Sequence, residues 1–325
     1  MIVDSFQSRL GSYLHAFIRQ KQAAGYPYES SIRILHRFDR LVAKEFPKET
    51  TITKEMSESW IHLKPEEHPN GLLRRITPVR QFAKYLNGMG HNVYVIPDHI
   101  PNKQIKYEAH IYTDEELKAF FHAVDHCPIS SFSPIRQYVA PVLFRLLYCC
   151  GLRSSEARLL QREDVNLTTG KIMIRESKGW KARIVYTSRD LLEVCREYDS
   201  IIESMLPRRQ VFLPSKDGGF LDTSTIGYWF HTFWDKLPQA SEIVGNSARV
   251  HDFRHGYAVH RLNQWVKEGE NIQALYPYLS AYMGHSSFVY TDYYLSLVED
   301  IYPEMEKRLS SVNNDILPEV HHEEE

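Results

Sequence analysis

"VHDFRHGYAVHRL", residues 250–262, sets His251, Arg254, His255 and His260 within ten residues of a predicted helix. Residues three and four apart are neighbours on a helix surface, so His251, Arg254 and His255 share one side of its N-terminal end. Two chemistries fit such a group. His251 and His255, at i and i+4, have a spacing that can ligate zinc, but the glutamate of an H-E-x-x-H site is absent and the sequence offers no evident third ligand. An imidazole beside an arginine suits instead a transition state that is anionic and needs a proton moved.

Three other stretches carry residues of the same kind. In "YCCGLRSSEARLL" (148–160), Gly151 ends an apolar helix and Ser154 or Ser155 caps the next, leaving Arg153 on the turn between them with Glu156 three residues on. An arginine beside a helix N-terminus can hold an anion, because the guanidinium is always charged and forks onto two oxygens; a surface salt bridge with Glu156 is the plainer alternative. "GKIMIRES" and "KARIVYTS" alternate as two strands around "KGW", a hairpin with Lys178 at its tip and Lys181 and Arg183 following. Cations in such a place are solvated unless the tip enters a cleft. "YMGHSSFVYTDYYLSL" (282–297) places His285 after Gly284 and follows it with Tyr290, Tyr293 and Tyr294 on a short helix. Tyrosine, with a free pKa of about 10, attacks at neutral pH only among cations and near a proton acceptor.

The whole chain, 325 residues with 43% hydrophobic content, is long enough for two modest cores. Four helical patterns (5–24, 31–46, 53–62 and 70–88) fill the start. The second puts Ile32, Ile34, Leu35, Phe38, Leu41 and Val42 on one stripe and Arg33, Arg37, Arg40 and Lys44 opposite; the fourth repeats that design with Arg74, Arg75, Arg80 and Lys84. Helical periodicity breaks after residue 90, and a capping box at Thr113 and Glu116 opens the next helix. The expected organisation is a helical domain at 1–97, a linker at 98–112, a mixed domain at 113–310 and an acidic tail at 311–325.

Charge is distributed unevenly along this plan. Residues 1–111 hold 16 Lys and Arg against 11 Asp and Glu, residues 112–298 hold 21 of each, and residues 299–325 hold 2 against 9. A positive helical domain points weakly toward phosphate backbones. No apolar run of about eighteen residues and no signal peptide is present, so a cytoplasmic protein is expected. Cys127, Cys149, Cys150 and Cys195 form no C-x-x-C pair and read as buried, reduced thiols.

Taken in order, Arg153 in "GLRSSEA", Lys178 in "SKGWKARIVYTS", His251 and Arg254 in "HDFRH", and His285 and Tyr294 in "YMGHSSFVYTDYYL" resemble the tyrosine recombinase (phage integrase) family, most of all its mobile-element members. The resemblance spans most of the chain and fills all six catalytic positions. It implies a mainly α fold with a small antiparallel β-sheet, built as a two-domain DNA clamp of a helical core-binding (SAM-like) domain and a catalytic domain. It also implies a site-specific recombinase that cuts and rejoins strands through a 3′-phosphotyrosyl bond on Tyr294, nine residues after His285.

In that scheme Arg153 and Arg254 stabilise the phosphorane, His251 accepts the tyrosine proton, Lys178 protonates the leaving 5′-oxygen and His285 bonds a non-bridging oxygen. No cofactor and no metal are required. The implied partners are double-stranded DNA and three further copies of the chain in a homo-tetramer on two sites, with accessory proteins left open, no membrane, and a nucleoid-associated location. The helical pattern "EDIYPEMEKRLSSV" (299–312) is expected to dock on a neighbouring protomer. A type IB topoisomerase-like enzyme, a catalytically silent DNA-binding accessory protein and a metal-dependent hydrolase using His251 and His255 are the competing functions.

Overall fold

Four helices form the first unit: α1 (Gly11–Ala23), α2 (Glu29–Glu45), α3 (Lys54–Ile61) and α4 (Pro69–Gly88). The α2 stripe is the inner face, with Leu35, Phe38 and Val42 fully buried against Phe17, Met56, Trp60, Val79 and Phe82. Its cations Arg33, Arg37, Arg40 and Lys44 are exposed. The computed structural model divides the chain into compact units Met1–Tyr107 and Glu108–Glu325. Described here are residues 6–62, 67–98, 107–175, 182–242, 248–285, 287, 289–295 and 297–298. Lys178, the 299–312 pattern and the acidic tail lie outside the described residues.

Two details of this unit depart from the periodicity reading. Helix α1 begins at Gly11 rather than near residue 5, because the Gln7 and Ser8 backbone N–H groups donate to the buried Asp39 carboxylate at 2.6 and 3.0 Å, which holds the chain out of helical geometry there. Nor do all four α4 cations face water. Arg75 is buried, donating to Glu67 Oε1 at 2.7 Å and to the His62 carbonyl at 2.8 Å, with its guanidinium 5.0 Å from the Trp60 ring. Arg80 donates to the Ile96 and Pro97 carbonyls, tying α4 to the segment that follows it.

The second unit opens at α5 (Asp114–Asp125), where Thr113 and Glu116 complete the capping box, each side chain accepting from the other's backbone N–H. The apolar run of α6 (Arg136–Cys149) buries Val139, Leu143, Phe144 and Leu147, and α7 (Ser154–Arg158) follows the Gly151 turn. Of the four cysteines, all free, Cys149 is exposed, because it is the last residue of α6, one turn beyond the half-buried Arg145. A three-stranded antiparallel sheet comes next: β1 (Val165–Asn166), β2 (Lys171–Ile174) and β3 (Arg183–Tyr186), with Ile172 opposite Val185 and Ile174 opposite Arg183. The two-residue β1 is too short to leave a period in the sequence.

After the sheet the unit is helical: α8 (Arg189–Met205), α9 (Thr225–Trp234), α10 (Pro238–Glu242), α11 (Asp252–Lys267), α12 (Ile272–Met283) and α13 (Val289–Leu295). Phe253 anchors the start of α11. It is fully buried, stacked 4.8 Å from Tyr112 and packed 5.2 Å from Phe120 and 5.7 Å from Phe230. Removing such a side chain costs about 3–5 kcal/mol in a core, so the residue next to it, Arg254, starts from a rigid backbone. Among the described residues no helix is long and apolar enough to cross a membrane.

Candidate active site

Gly151 sets the first turn of the site. Its φ of +59° is left-handed, and a Cβ there would lie 2.8 Å from Cδ1 of Tyr257, so a side chain is excluded on both counts. The turn delivers Arg153 to the N-cap position of α7. Its Nη1 donates to Glu156 Oε1 at 2.7 Å, its backbone N–H to Glu156 Oε2 at 2.8 Å, and its Nη2 to the Gly284 carbonyl at 2.8 Å. Glu156 is therefore more than a surface partner: its side chain is fully buried and also takes both Nη atoms of Arg183, each at 2.7 Å. Burial alone would raise the Glu156 carboxyl, but hydrogen bonds and charge from Arg183, then Arg153, outweigh it and hold the group at about 2.

Arg254 comes from the first turn of α11 and is 1% exposed. Its Nη1 donates to the Gly151 carbonyl at 2.6 Å and its Nη2 to the Met283 carbonyl, and its charge acts on the buried Tyr294 hydroxyl. Among the described residues no carboxylate lies within ion-pair distance of it. Burial, then the neighbouring Arg153, pulls this guanidinium down to about 9, which leaves it cationic at neutral pH. A buried cation held by carbonyl dipoles favours an incoming anion.

The last stretch completes the cluster. α12 ends at Gly284 with φ +63°, and His285 follows, its Nδ1 sharing a hydrogen bond of 2.7 Å with Oγ1 of the buried Thr291. From α13, Tyr294 is 3% exposed, its ring 5.4 Å from His255 and 5.8 Å from His285. Burial raises its pKa, while Arg254 and Arg153 pull the other way. The Tyr293 ring lies 5.8 Å from His255, and its hydroxyl accepts the Ala109 backbone N–H at 3.0 Å. Tyr282 stacks on Tyr257 at 5.5 Å and is half-buried, so it packs.

Three imidazoles line this cluster uncharged. His251, at the N-cap of α11, keeps solvent access, yet desolvation and then Arg254, Arg153 and Arg249 lower it to about 4. His285 falls to about 4 by burial, then Arg254 and Arg153. His255 falls to about 3 by burial, then His251, and its ring lies 4.9 Å from that of His251. At neutral pH each is uncharged, and none competes as a cation. Among the described residues no group of three or more His, Cys, Asp or Glu is arranged to hold a metal ion.

Five of the six residues singled out from the sequence, Arg153, His251, Arg254, His285 and Tyr294, are thus gathered at one place, and the sixth, Lys178, lies outside the described residues. Two neighbours were not singled out. His255 sits between His251 and Tyr294; the sequence groups it with His251 and Arg254 on one side of the helix without giving it a role in the reaction. Arg183 had read as a solvated hairpin cation, but it shares the inward face of β3 with Val185, a period-two relation visible in "RIVY".

Residues 111–299, more than half of the chain, match the model of the phage integrase family. The protein y4rE of Sinorhizobium fredii, named an integrase/recombinase, is 29% identical over 301 residues, covering 90% of this chain and 94% of that one. Tyrosine recombinase XerA of Thermococcus kodakarensis is 32% identical over 164 residues, 50% of this chain and 52% of its own. Among solved structures, XerH site-specific recombinase bound to palindromic difH substrate aligns with a TM-score of 0.61 at 18% identity, covering 87% of this chain and 78% of that one. A lambda integrase tetramer bound to a Holliday junction aligns equally well, 0.61 at 14% identity over 88% and 76%. At these identities the structural likeness speaks for the fold: mainly helical, with a small antiparallel sheet.

Proposed function

The chain belongs to the phage integrase family of DNA-breaking and rejoining tyrosine recombinases, and from that premise we propose that it is a site-specific recombinase of a mobile element whose nucleophile is Tyr294. The Tyr294 oxygen attacks a scissile phosphate, the phosphorus–5′-oxygen bond breaks, and a 3′-phosphotyrosyl bond forms. The phenolic proton passes to His251, and the leaving 5′-oxygen takes a proton from Lys178. Such transfers contribute about 10² to 10⁴ each. Arg153 and Arg254 face the charge that builds on the phosphorane, the part of the barrier that fixed cations in a dry site lower most. His285 bonds a non-bridging oxygen. Attack by the 5′-hydroxyl of a partner strand reverses the bond changes and joins the exchanged strands, so neither ATP nor a metal ion enters the balance.

One observation carries this reading. Buried Arg254 is held by the carbonyls of Gly151 and Met283, so a single guanidinium ties together the segments bearing Arg153 and His285, and its charge acts on the buried Tyr294 hydroxyl. The Tyr293 hydroxyl is engaged with the Ala109 backbone N–H, which favours Tyr294 as the nucleophile.

In the same proposal residues 1–97 act as the core-binding domain and 113–310 as the catalytic one. The exposed Arg33, Arg37 and Arg74, which line a shallow groove between α2 and α4, meet duplex phosphates. XerH bound to its site and the lambda integrase tetramer on a junction support duplex DNA as substrate and a homo-tetramer on two sites as the working assembly. A cytoplasmic, nucleoid-associated enzyme follows from that substrate.

The test uses nicked suicide duplexes tiled across the DNA flanking the coding sequence, which trap the covalent intermediate. Wild type and Tyr293→Phe should form a protein–DNA adduct in EDTA, and Tyr294→Phe none. An adduct formed by Tyr294→Phe, or one that needs a metal ion, overturns the proposal.

A further inference from the structure

Arg183 is not among the six family positions, yet it makes three hydrogen bonds within the cluster. Its two Nη atoms fork onto the two Glu156 oxygens at 2.7 Å each, and its Nε donates to the Tyr282 carbonyl at 2.6 Å. Glu156 backs Arg153, and Arg153 reaches the Gly284 carbonyl. The contacts therefore close a ring through β3, α7 and the end of α12. The ring is tight: a Cβ on Gly284 would lie 3.1 Å from Arg183 Nη1.

We propose that Arg183 is a positioning residue for strand cleavage, holding Glu156 and the Tyr282–His285 turn so that Arg153 and His285 are aimed at the scissile phosphate. The proposal rests on the phosphoryl-transfer reading of the site. It follows from how one carboxylate is shared. With Arg153 as its only partner, Glu156 would draw both Arg153 Nη atoms onto itself in a bidentate pair. Because Arg183 occupies a position on each Glu156 oxygen, the Arg153 guanidinium gives Glu156 Nη1 alone, beside the Arg153 backbone N–H, and turns Nη2 to Gly284. Two guanidiniums share one negative charge, so the ring keeps a net positive charge beside Arg254. β3 is also the strand that follows Lys178 in the chain, so the same side chain ties the hairpin to the turn that carries His285.

A guanidinium that served stability alone would lower the melting temperature when replaced and leave the cleavage rate of folded, bound enzyme unchanged. Arg183→Gln and Arg183→Lys are compared with wild type on the suicide duplex that yields an adduct, under single-turnover conditions with saturating protein and below the melting temperature of each variant. Lysine keeps the charge but cannot reach Glu156 and the Tyr282 carbonyl together. Adduct formation is expected to slow about 100-fold for Arg183→Gln and less for Arg183→Lys, as for a reacting group displaced by about 1 Å, with duplex affinity within about threefold of wild type. The deficit should shrink at least about tenfold when the scissile phosphate is replaced by an uncharged methylphosphonate, which leaves less charge for Arg153 to stabilise.

Variants that cleave within about threefold of wild type, or an equal deficit on both substrates, overturn the positioning role. If Arg183→Gln does not fold, Arg183→Lys decides by the same two readouts. An absent wild-type adduct overturns the functional reading and this proposal with it, whereas a wild-type adduct with unimpaired variants overturns only the proposal.

Discussion

Arg75 in the first unit and Arg254 in the second are both buried arginines on long helices, 4% and 1% exposed, and their surroundings differ in one respect. Arg75 has its counter-ion: Glu67 takes its Nε and Nη2 at 2.7 and 2.9 Å, and Trp60 covers its face. Arg254 is bonded to two backbone carbonyls, with no carboxylate at ion-pair distance among the described residues. The first arrangement is electrically closed and belongs to the fold. The second leaves a desolvated positive charge uncompensated, which costs stability and is worth retaining only where an anion arrives. The exposed Arg33, Arg37, Arg40 and Arg74 form a third class, hydrated and free of that cost.

These classes predict separable effects. Arg254→Lys, which cannot bridge both carbonyls, should slow single-turnover cleavage by about 10³-fold while duplex affinity changes little. A rate within tenfold of wild type would show that the uncompensated charge is not what the reaction uses. Replacing Arg33, Arg37, Arg40 and Arg74 together with glutamine should do the reverse. Duplex affinity is expected to fall about tenfold or more and the log–log salt slope to flatten by up to about 3.6, since each phosphate contact adds about 0.9, with cleavage of bound duplex nearly unchanged. An unaltered slope would remove the first unit from the binding surface.

The smallest effect is on pH dependence. His251, His255 and His285, at about 4, 3 and 4 when folded, lie below the unfolded value of 6.5. The unfolded chain therefore binds more protons between about pH 6.5 and 4, and stability falls as pH is lowered through that window. Glu156, at about 2 against 4.5, adds a second loss from about pH 4.5 downward, in the same direction. Melting temperature should drop between pH 7 and 5, and drop less in His255→Asn; equal slopes would mean that His255 is not desolvated as its surroundings indicate.

Where elements bury apolar side chains at a regular period, the fold was legible in the residues themselves. Leu35, Phe38 and Val42 repeat at helical spacing, Ile172 and Ile174 alternate in β2, and Thr113 with Glu116 signals the start of α5. What escaped was the fate of arginine. A pattern scores Arg75, Arg80 and Arg183 as polar, yet each is drawn inward by partners that periodicity cannot see, such as the Tyr282 carbonyl, 99 positions from Arg183. Arg153, His251, Arg254, His285 and Tyr294, which the structure gathers, were legible together because a family resemblance supplied their order. The burial of Glu156 and the engagement of Tyr293 with Ala109 depend on tertiary contacts and were not. Between Tyr293 and Tyr294, helical spacing alone left both open; adjacent residues on a helix point about 100° apart, and the Tyr293 hydroxyl accepts the Ala109 N–H.

The covalent bond to Tyr294 is tested most directly by digesting the adduct trapped on a suicide duplex and locating the nucleotide-bearing residue by mass spectrometry. The expected peptide carries its nucleotide on Tyr294. A nucleotide on Tyr293 or Tyr290, or on any residue outside α13, would contradict the assignment of the nucleophile and of Arg254 as its partner.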